Sequence, residues 1–183
     1  MVSKPQAPNE SVKLAGGDLG DLSFEWKEDR YAHVWNIADT SVRSVESDSL
    51  QLWPVSPPLQ QIHQQSFGDG REIIFGVGMS GRGHWSASFT LVPELKCWIV
   101  ELACRAPIVA EQLLSTYASD AGWTDRDGCY HAGIDGVAGF EIEAIEPGAI
   151  ANSADGQLMI RPVELSKEPG TTQWAFRLRV ANA

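Results

Sequence analysis

Arg71-Glu-Ile-Ile-Phe-Gly-Val-Gly-Met-Ser-Gly-Arg-Gly-His-Trp-Ser-Ala-Ser-Phe-Thr-Leu-Val92 holds the strongest nucleotide-binding signal in the chain and also the pattern that cancels it. Gly76, Gly78 and Gly81 spell a literal G-x-G-x-x-G. A dinucleotide fingerprint needs a helix directly after the glycines, because the pyrophosphate rests on that helix's first free amides. Here Trp85, Ala87, Phe89 and Leu91 alternate with Ser86, Ser88 and Thr90. A period of two is the mark of a strand. The segment therefore predicts a β-hairpin turning at Ser80–Gly83, where glycine's access to positive φ suits a tight bend. Gly76 and Gly78 share one face of the first strand, leaving room for a bulky neighbour, most simply a tryptophan.

Working outward, the same alternation recurs. Leu22, Phe24 and Trp26 alternate with Ser23, Glu25 and Lys27, and Glu28-Asp29-Arg30 turns the chain back through Tyr31, His33, Trp35 and Ile37. Residues 42–53 read as another strand, closed by Trp53-Pro-Val-Ser-Pro-Pro58, whose prolines cannot donate to a central ladder. Leu59–Gln65 is expected to form a two-turn helix opened by Pro57 or Pro58. Leu95–Ala106 is apolar on both faces, with Trp98, Val100 and Leu102 opposite Cys97, Ile99 and Ala103, and predicts a strand covered on both sides. Residues 108–119 fit a helix (Val109, Leu113, Tyr117) and a strand equally well.

Asp127-Gly128 and Asp135-Gly136 mark bends. Phe140, Ile142 and Ala144 alternate with Glu141 and Glu143. Leu158–Leu165 and Thr172–Val180 read as a closing hairpin through Ser166-Lys-Glu-Pro-Gly170, with Trp174, Phe176, Leu178 and Val180 inside and Arg177 and Arg179 outside. Residues 1–20 are expected to be a mobile tail, and residues 21–183 a single antiparallel β domain. The fold class is mainly β: an antiparallel sandwich or barrel of about nine or ten strands, with one or two short helices allowed.

The chain has 183 residues and a formal net charge of −10. That charge argues against sequence-independent nucleic-acid binding, which needs a basic footprint. It also argues against adsorption to anionic membranes, and no window approaches the roughly 20 apolar residues that span a bilayer. The opening Met-Val-Ser-Lys-Pro-Gln-Ala-Pro-Asn-Glu lacks the apolar centre of a secretory signal. Cys97, Cys104 and Cys129 show no C-x-x-C spacing, which points to free thiols in a reducing cytoplasm.

Candidate chemistry is sparse. The glycine-rich hairpin of protein kinases also runs strand-turn-strand, but H-R-D and D-F-G are both missing here. Cys129 and His131 lie two apart on one strand face, and nothing nominates further ligands, so no metal site is expected. Asp125-Arg-Asp-Gly128 resembles part of a calcium loop, yet Cys129 and Tyr130 stand where oxygen ligands and glycine belong. No cofactor is expected. Glu141 and Glu143 read as the wet side of a sheet, ready to pair across strands with Arg177 and Arg179.

Trp53 and Trp123 lie in loop-like segments and, with Tyr130 nearby, are the candidate ligand- or partner-binding residues, since loop aromatics often form platforms. An aromatic plug at the end of a sandwich is the plainer explanation. The leading functional expectation is a non-catalytic β domain that binds a small molecule or a protein. One alternative is a hydrolytic or lyase-type enzyme with His84 as general base and Arg82 stabilising an anion. Another is a structural subunit of a homo-oligomer.

Overall fold

The computed structural model describes residues 10–48, 50–68, 71–134, 136–152 and 155–181, and these form two antiparallel sheets facing each other. The seven-stranded sheet runs, in spatial order, β1 (Val12–Leu14), β2 (Asp21–Lys27), β3 (Arg30–Ile37), β4 (Thr40–Ser44), β9 (Ser115–Ser119), β14 (Gln157–Pro162) and β13 (Gly148–Asn152). The eight-stranded sheet runs β10 (Thr124–Arg126), β11 (Cys129–Ala132), β12 (Gly139–Ile145), β15 (Gly170–Ala181), β8 (Cys97–Ala106), β7 (Gly83–Val92), β6 (Glu72–Ser80) and β5 (Gln61–Ser66). Neither sheet closes on itself, so the architecture is a sandwich and not a barrel.

Alternation along each strand sends one set of side chains into the space between the sheets. Leu22, Phe24, Trp35, Val42 and Tyr117 enter it from one side, and Trp85, Phe89, Trp98, Val100, Trp174 and Phe176 from the other. Rings meet across the gap: Phe24 stands edge-on to Phe89 at 5.0 Å between centroids, and Trp35 to Phe176 at 6.3 Å. Each fully buried aromatic contributes about 1.5–3 kcal/mol of transfer free energy.

The central hairpin forms as expected. Ser80 faces Gly83 across a two-residue turn whose first residue, Gly81, has φ +55°. The β2–β3 hairpin forms too, and the glutamate–arginine pairing is present in register, Glu141 opposite Arg179 and Glu143 opposite Arg177. Both guanidinium groups donate to Glu143 at 2.7 Å.

Several expectations are corrected. Fifteen strands form among the described residues, not nine or ten, because three-residue pieces such as β1 and β10 are too short to show periodicity. Residues 42–53 are not one strand: β4 starts earlier and stops at Ser44, whose Oγ accepts the His33 N–H, and the Val45 N–H turns to the Thr116 carbonyl. Leu59–Gln65 is not helical: from Gln61 onward it belongs to edge strand β5, which makes six register pairs with β6. β8 is central in its sheet, but Glu101 and Arg105 on its second face are exposed, so only one face is covered. The ambiguous stretch resolves as strand β9 over Ser115–Ser119.

The closing hairpin does not exist: β14 pairs with β9 and β13, while β15 lies in the other sheet between β12 and β8. Of the expected tail, residues 1–9 lie outside the described residues, whereas Val12 and Leu14 are buried in β1 against β2. Of the second expected bend, Asp135 lies outside the described residues, and Gly136 has φ +80°. The occupant beside Gly76 and Gly78 is not a tryptophan but the Pro58–Leu59 segment: a Cβ on Gly78 would lie 1.6 Å from the Pro58 carbonyl oxygen.

Candidate functional site

The hydrogen-bond register of the eight-stranded sheet stacks side chains into rows that cross the strands. On its outer face, Met79, His84, Arg105 and Thr171 are successive cross-strand neighbours on β6, β7, β8 and β15. The next row is Gln61, Val77, Ser86, Ala103 and Gln173. Short side chains in that second row leave a shallow trough of about 480 Å³. Its floor is Val77, Ser86 and Ala103, its long wall is Met79, His84, Arg105 and Thr171, and Gln60 and Gln61 close the end.

Gln60 is held there by three hydrogen bonds. Its backbone N–H donates to the Val77 carbonyl at 2.8 Å, its side-chain carbonyl accepts the Met79 N–H at 3.0 Å, and its amide donates to the Met79 carbonyl at 3.4 Å. The Gln60 side chain thus stands in for a strand partner beyond the start of β5. Val77 is 46% and Met79 48% exposed, and with the more covered Phe75 they make an apolar row on the outer face of β6.

Two other depressions are lined differently. One of about 670 Å³ lies at the opposite end of the strands, among Gly16, Leu19, Ile37, Pro93, Ala138 and Val180. Asp18 and Lys96 are its only charged lining groups. A third, on the outer face of the seven-stranded sheet, reaches Ser44 and Glu46, and its cations Lys27 and Arg43 are already paired with Glu25 and Asp120.

The residues singled out from sequence are scattered over the molecule. His84 lies in the trough and is exposed, and it touches no carboxylate by hydrogen bond or ion pair among the described residues. Arg82 sits in the adjacent turn, exposed and outside the lining. Trp53 is only 8% exposed and packs in the core, its carbonyl accepting the Gln112 amide at 2.7 Å. Its loop lies over the β6–β7 turn, where the Ser80 hydroxyl donates to the Gln51 carbonyl. Trp123 is half-buried against the core beside β10, and Tyr130 is half-buried on β11. β10 and β6 are six strand positions apart, roughly 29 Å, so the three aromatics do not form one platform. For Trp53 the aromatic plug is the better description.

Cys129 and His131 do share the outer face of β11, opposite Glu143 and Glu141. The His131 ring fills the space left by Gly133 and Gly139, and among the described residues no three His, Cys, Asp or Glu groups gather as a metal site.

A second polar region, inside the sandwich, was invisible in the sequence. His33 Nε2 lies 3.1 Å from the Tyr117 hydroxyl, with the ring walled by Phe24, Trp35 and Phe89. Burial pushes the imidazole down to about 3, so it is neutral at physiological pH. Ser44 accepts the His33 N–H and donates to Glu46 Oε1 at 2.6 Å. Burial raises the Glu46 carboxyl to about 7, against the opposing influence of Ser44 and of Arg30. Burial first, and the charge of Glu46 second, hold the Tyr117 phenol well above its usual range.

No protein-family model matches the chain, and no curated protein matches its sequence. Arg105, Met79 and Gln60 went unnoticed in the sequence because nothing local marks them. Only the strand register brings residues 60, 79, 84, 105 and 171 together.

Proposed function

We propose that this protein is a non-catalytic, small-molecule-binding β-sandwich, and that the trough across β6, β7 and β8 is its binding site. The observation that carries this reading is the coincidence, in one depression of about 480 Å³, of two exposed apolar side chains with His84, Arg105 and a pinned Gln60. Volumes of roughly 300–1,000 Å³ with a few convergent polar groups are typical of small-molecule sites. A histidine base needs a partner that holds its tautomer, and His84 has no such carboxylate contact among the described residues, which favours binding over catalysis. Three unpaired thiols agree with a reducing compartment such as the cytoplasm.

The test is a thermal-shift screen of small amphipathic compounds against the wild-type chain and Ala103→Trp, which fills the floor of the trough. A compound present at a hundred times its Kd stabilises the native state by about 2.7 kcal/mol. We expect hits on the wild type to vanish in Ala103→Trp. Hits that stabilise both proteins equally would place binding elsewhere and refute this siting.

A further inference from the structure

We infer that the ligand of this trough is an amphipathic carboxylate, its apolar body lying on Val77 and Met79 and its carboxylate held by Arg105 with His84 alongside. The inference rests on the trough being the binding site and adds the class of molecule it takes.

Charge complementarity is the first argument. The chain has 24 acidic against 14 Lys and Arg residues, so its surface repels anions overall. Arg105 nevertheless is exposed and has no carboxylate partner among the described residues, whereas Arg177 and Arg179 on the same sheet are both held by Glu143. The one acid of β8, Glu101, sits four residues along the strand, about 13 Å away, and accepts the Ser88 hydroxyl at 3.1 Å. Arg105 therefore presents a free guanidinium fork, whose two parallel N–H groups match the planar pair of oxygens of a carboxylate.

Geometry supplies the second argument. His84 is the direct cross-strand neighbour of Arg105, and Met79 of His84. Going from β6 to β8 covers two strand spacings, roughly 10 Å. Along that short path the lining changes from apolar (Val77, Met79) to cationic (Arg105), with the small Ser86 and Ala103 leaving the way open. A molecule with a short hydrocarbon or single-ring body and one terminal carboxylate matches this sequence of environments. A neutral sugar would leave the two exposed apolar side chains unused and Arg105 without its counter-charge.

Octanoate and octanol, which share a tail and differ in the head, are the probes. They are titrated, below micelle-forming concentration, into the 15N-labelled full chain, wild type and the Arg105→Gln and Arg82→Gln variants. The amide spectrum reports both site and Kd. Octanoate is expected to shift amides of residues 77–79, 84–86 and 103–105. Arg105→Gln should raise its Kd at least tenfold and leave octanol binding unchanged, which also serves as the folding control. Arg82→Gln, a cation outside the trough, should change neither Kd more than about twofold, the scale of a screened exposed charge. Equal affinity of octanol and octanoate, with no effect of Arg105→Gln, overturns the carboxylate assignment while the trough stays the binding site. Equal losses in Arg82→Gln and Arg105→Gln overturn it as well, by reducing the effect to general charge. If neither probe shifts trough amides, the carboxylate assignment is overturned, and the binding-site reading itself is decided by the compound screen with Ala103→Trp.

Discussion

Burial shifts the Glu46 carboxyl and the His33 imidazole in opposite directions, and Ser44 bonds the first group directly and the second residue only at its backbone N–H. The Glu46 carboxyl, raised by burial from 4.5 to about 7, keeps its proton in the folded state over a range where the unfolded chain has lost it. Its contribution to stability therefore falls as pH rises from about 4.5 to 7. His33, lowered by burial from 6.5 to about 3, stays neutral in the fold while the unfolded chain takes up a proton. Its contribution is present above pH 6.5 and declines as pH falls toward 3. Between about pH 4.5 and 6.5 the two slopes, each near 1.4 kcal/mol per pH unit as an upper bound, nearly cancel. Glu46→Gln keeps an acceptor for Ser44 and removes one of the two slopes. We expect the variant to match the wild type near pH 4.5 and to be more stable by about 1–3 kcal/mol at pH 8, read from urea midpoints across that range. Parallel pH profiles for the two proteins would show that Glu46 is well solvated. Glu46 falls within the expected strand 42–53; because β4 ends at Ser44 and the Val45 N–H turns to Thr116, Glu46 comes to rest half-buried, with its Oε2 shut off from solvent.

Strands declare themselves locally, whereas their partners do not. Trp85–Leu91 and Trp174–Leu178 could be read as extended because each residue's face follows from the pleat alone. The assignment of β14 to one sheet and β15 to the other depends on pairings with β9 and β8, some 40 to 80 residues earlier in the chain, and a five-residue loop looks the same either way. Edge strand β5 was lost for a related reason: Leu59-Gln-Gln-Ile-His-Gln-Gln65 has no strong propensity, and the ladder with β6 decides it. That ladder depends on Gly78, since the Pro58 carbonyl oxygen occupies the space a Cβ would need, and Gln60 follows directly. Gly78→Ala must push back the Pro58–Gln60 backbone and is expected to cost about 1–3 kcal/mol. It should also speed hydrogen exchange at the Met79 amide, which Gln60 caps. Gly170→Ala, where a Cβ meets nothing within 4 Å, is the control and should be neutral or slightly stabilising. Equal midpoints for the two variants would mean that the Pro58 segment yields freely and does not fix the wall of the trough.

At the scale of the whole molecule, fold class was legible because it needs only the sum of many alternating segments, and the candidate site was not, because it is a product of register. His84 was noticed for its place beside a turn, while Arg105, 21 residues later, became its neighbour only through the β7–β8 ladder. The same long-range dependence predicts how the protein unfolds. The two sheets do not hold separate cores: Trp35 of the seven-stranded sheet touches Phe89 and Phe176 of the eight-stranded one as well as Tyr117 of its own. Removing the indole takes packing from both layers at once. Trp35→Ala is expected to lower stability by about 3–5 kcal/mol, the range for large aromatics removed from a core. Amides in β8 exchange by global opening if the sandwich is one cooperative unit, so they should lose as much protection as those in β3, although the mutation lies in the other sheet. Loss of protection confined to the seven-stranded sheet would show instead that each layer opens by itself. A trough built entirely on the eight-stranded sheet would then keep its geometry while the opposite layer frays, and ligand binding would survive Trp35→Ala; in a cooperative sandwich, binding and protection fall together.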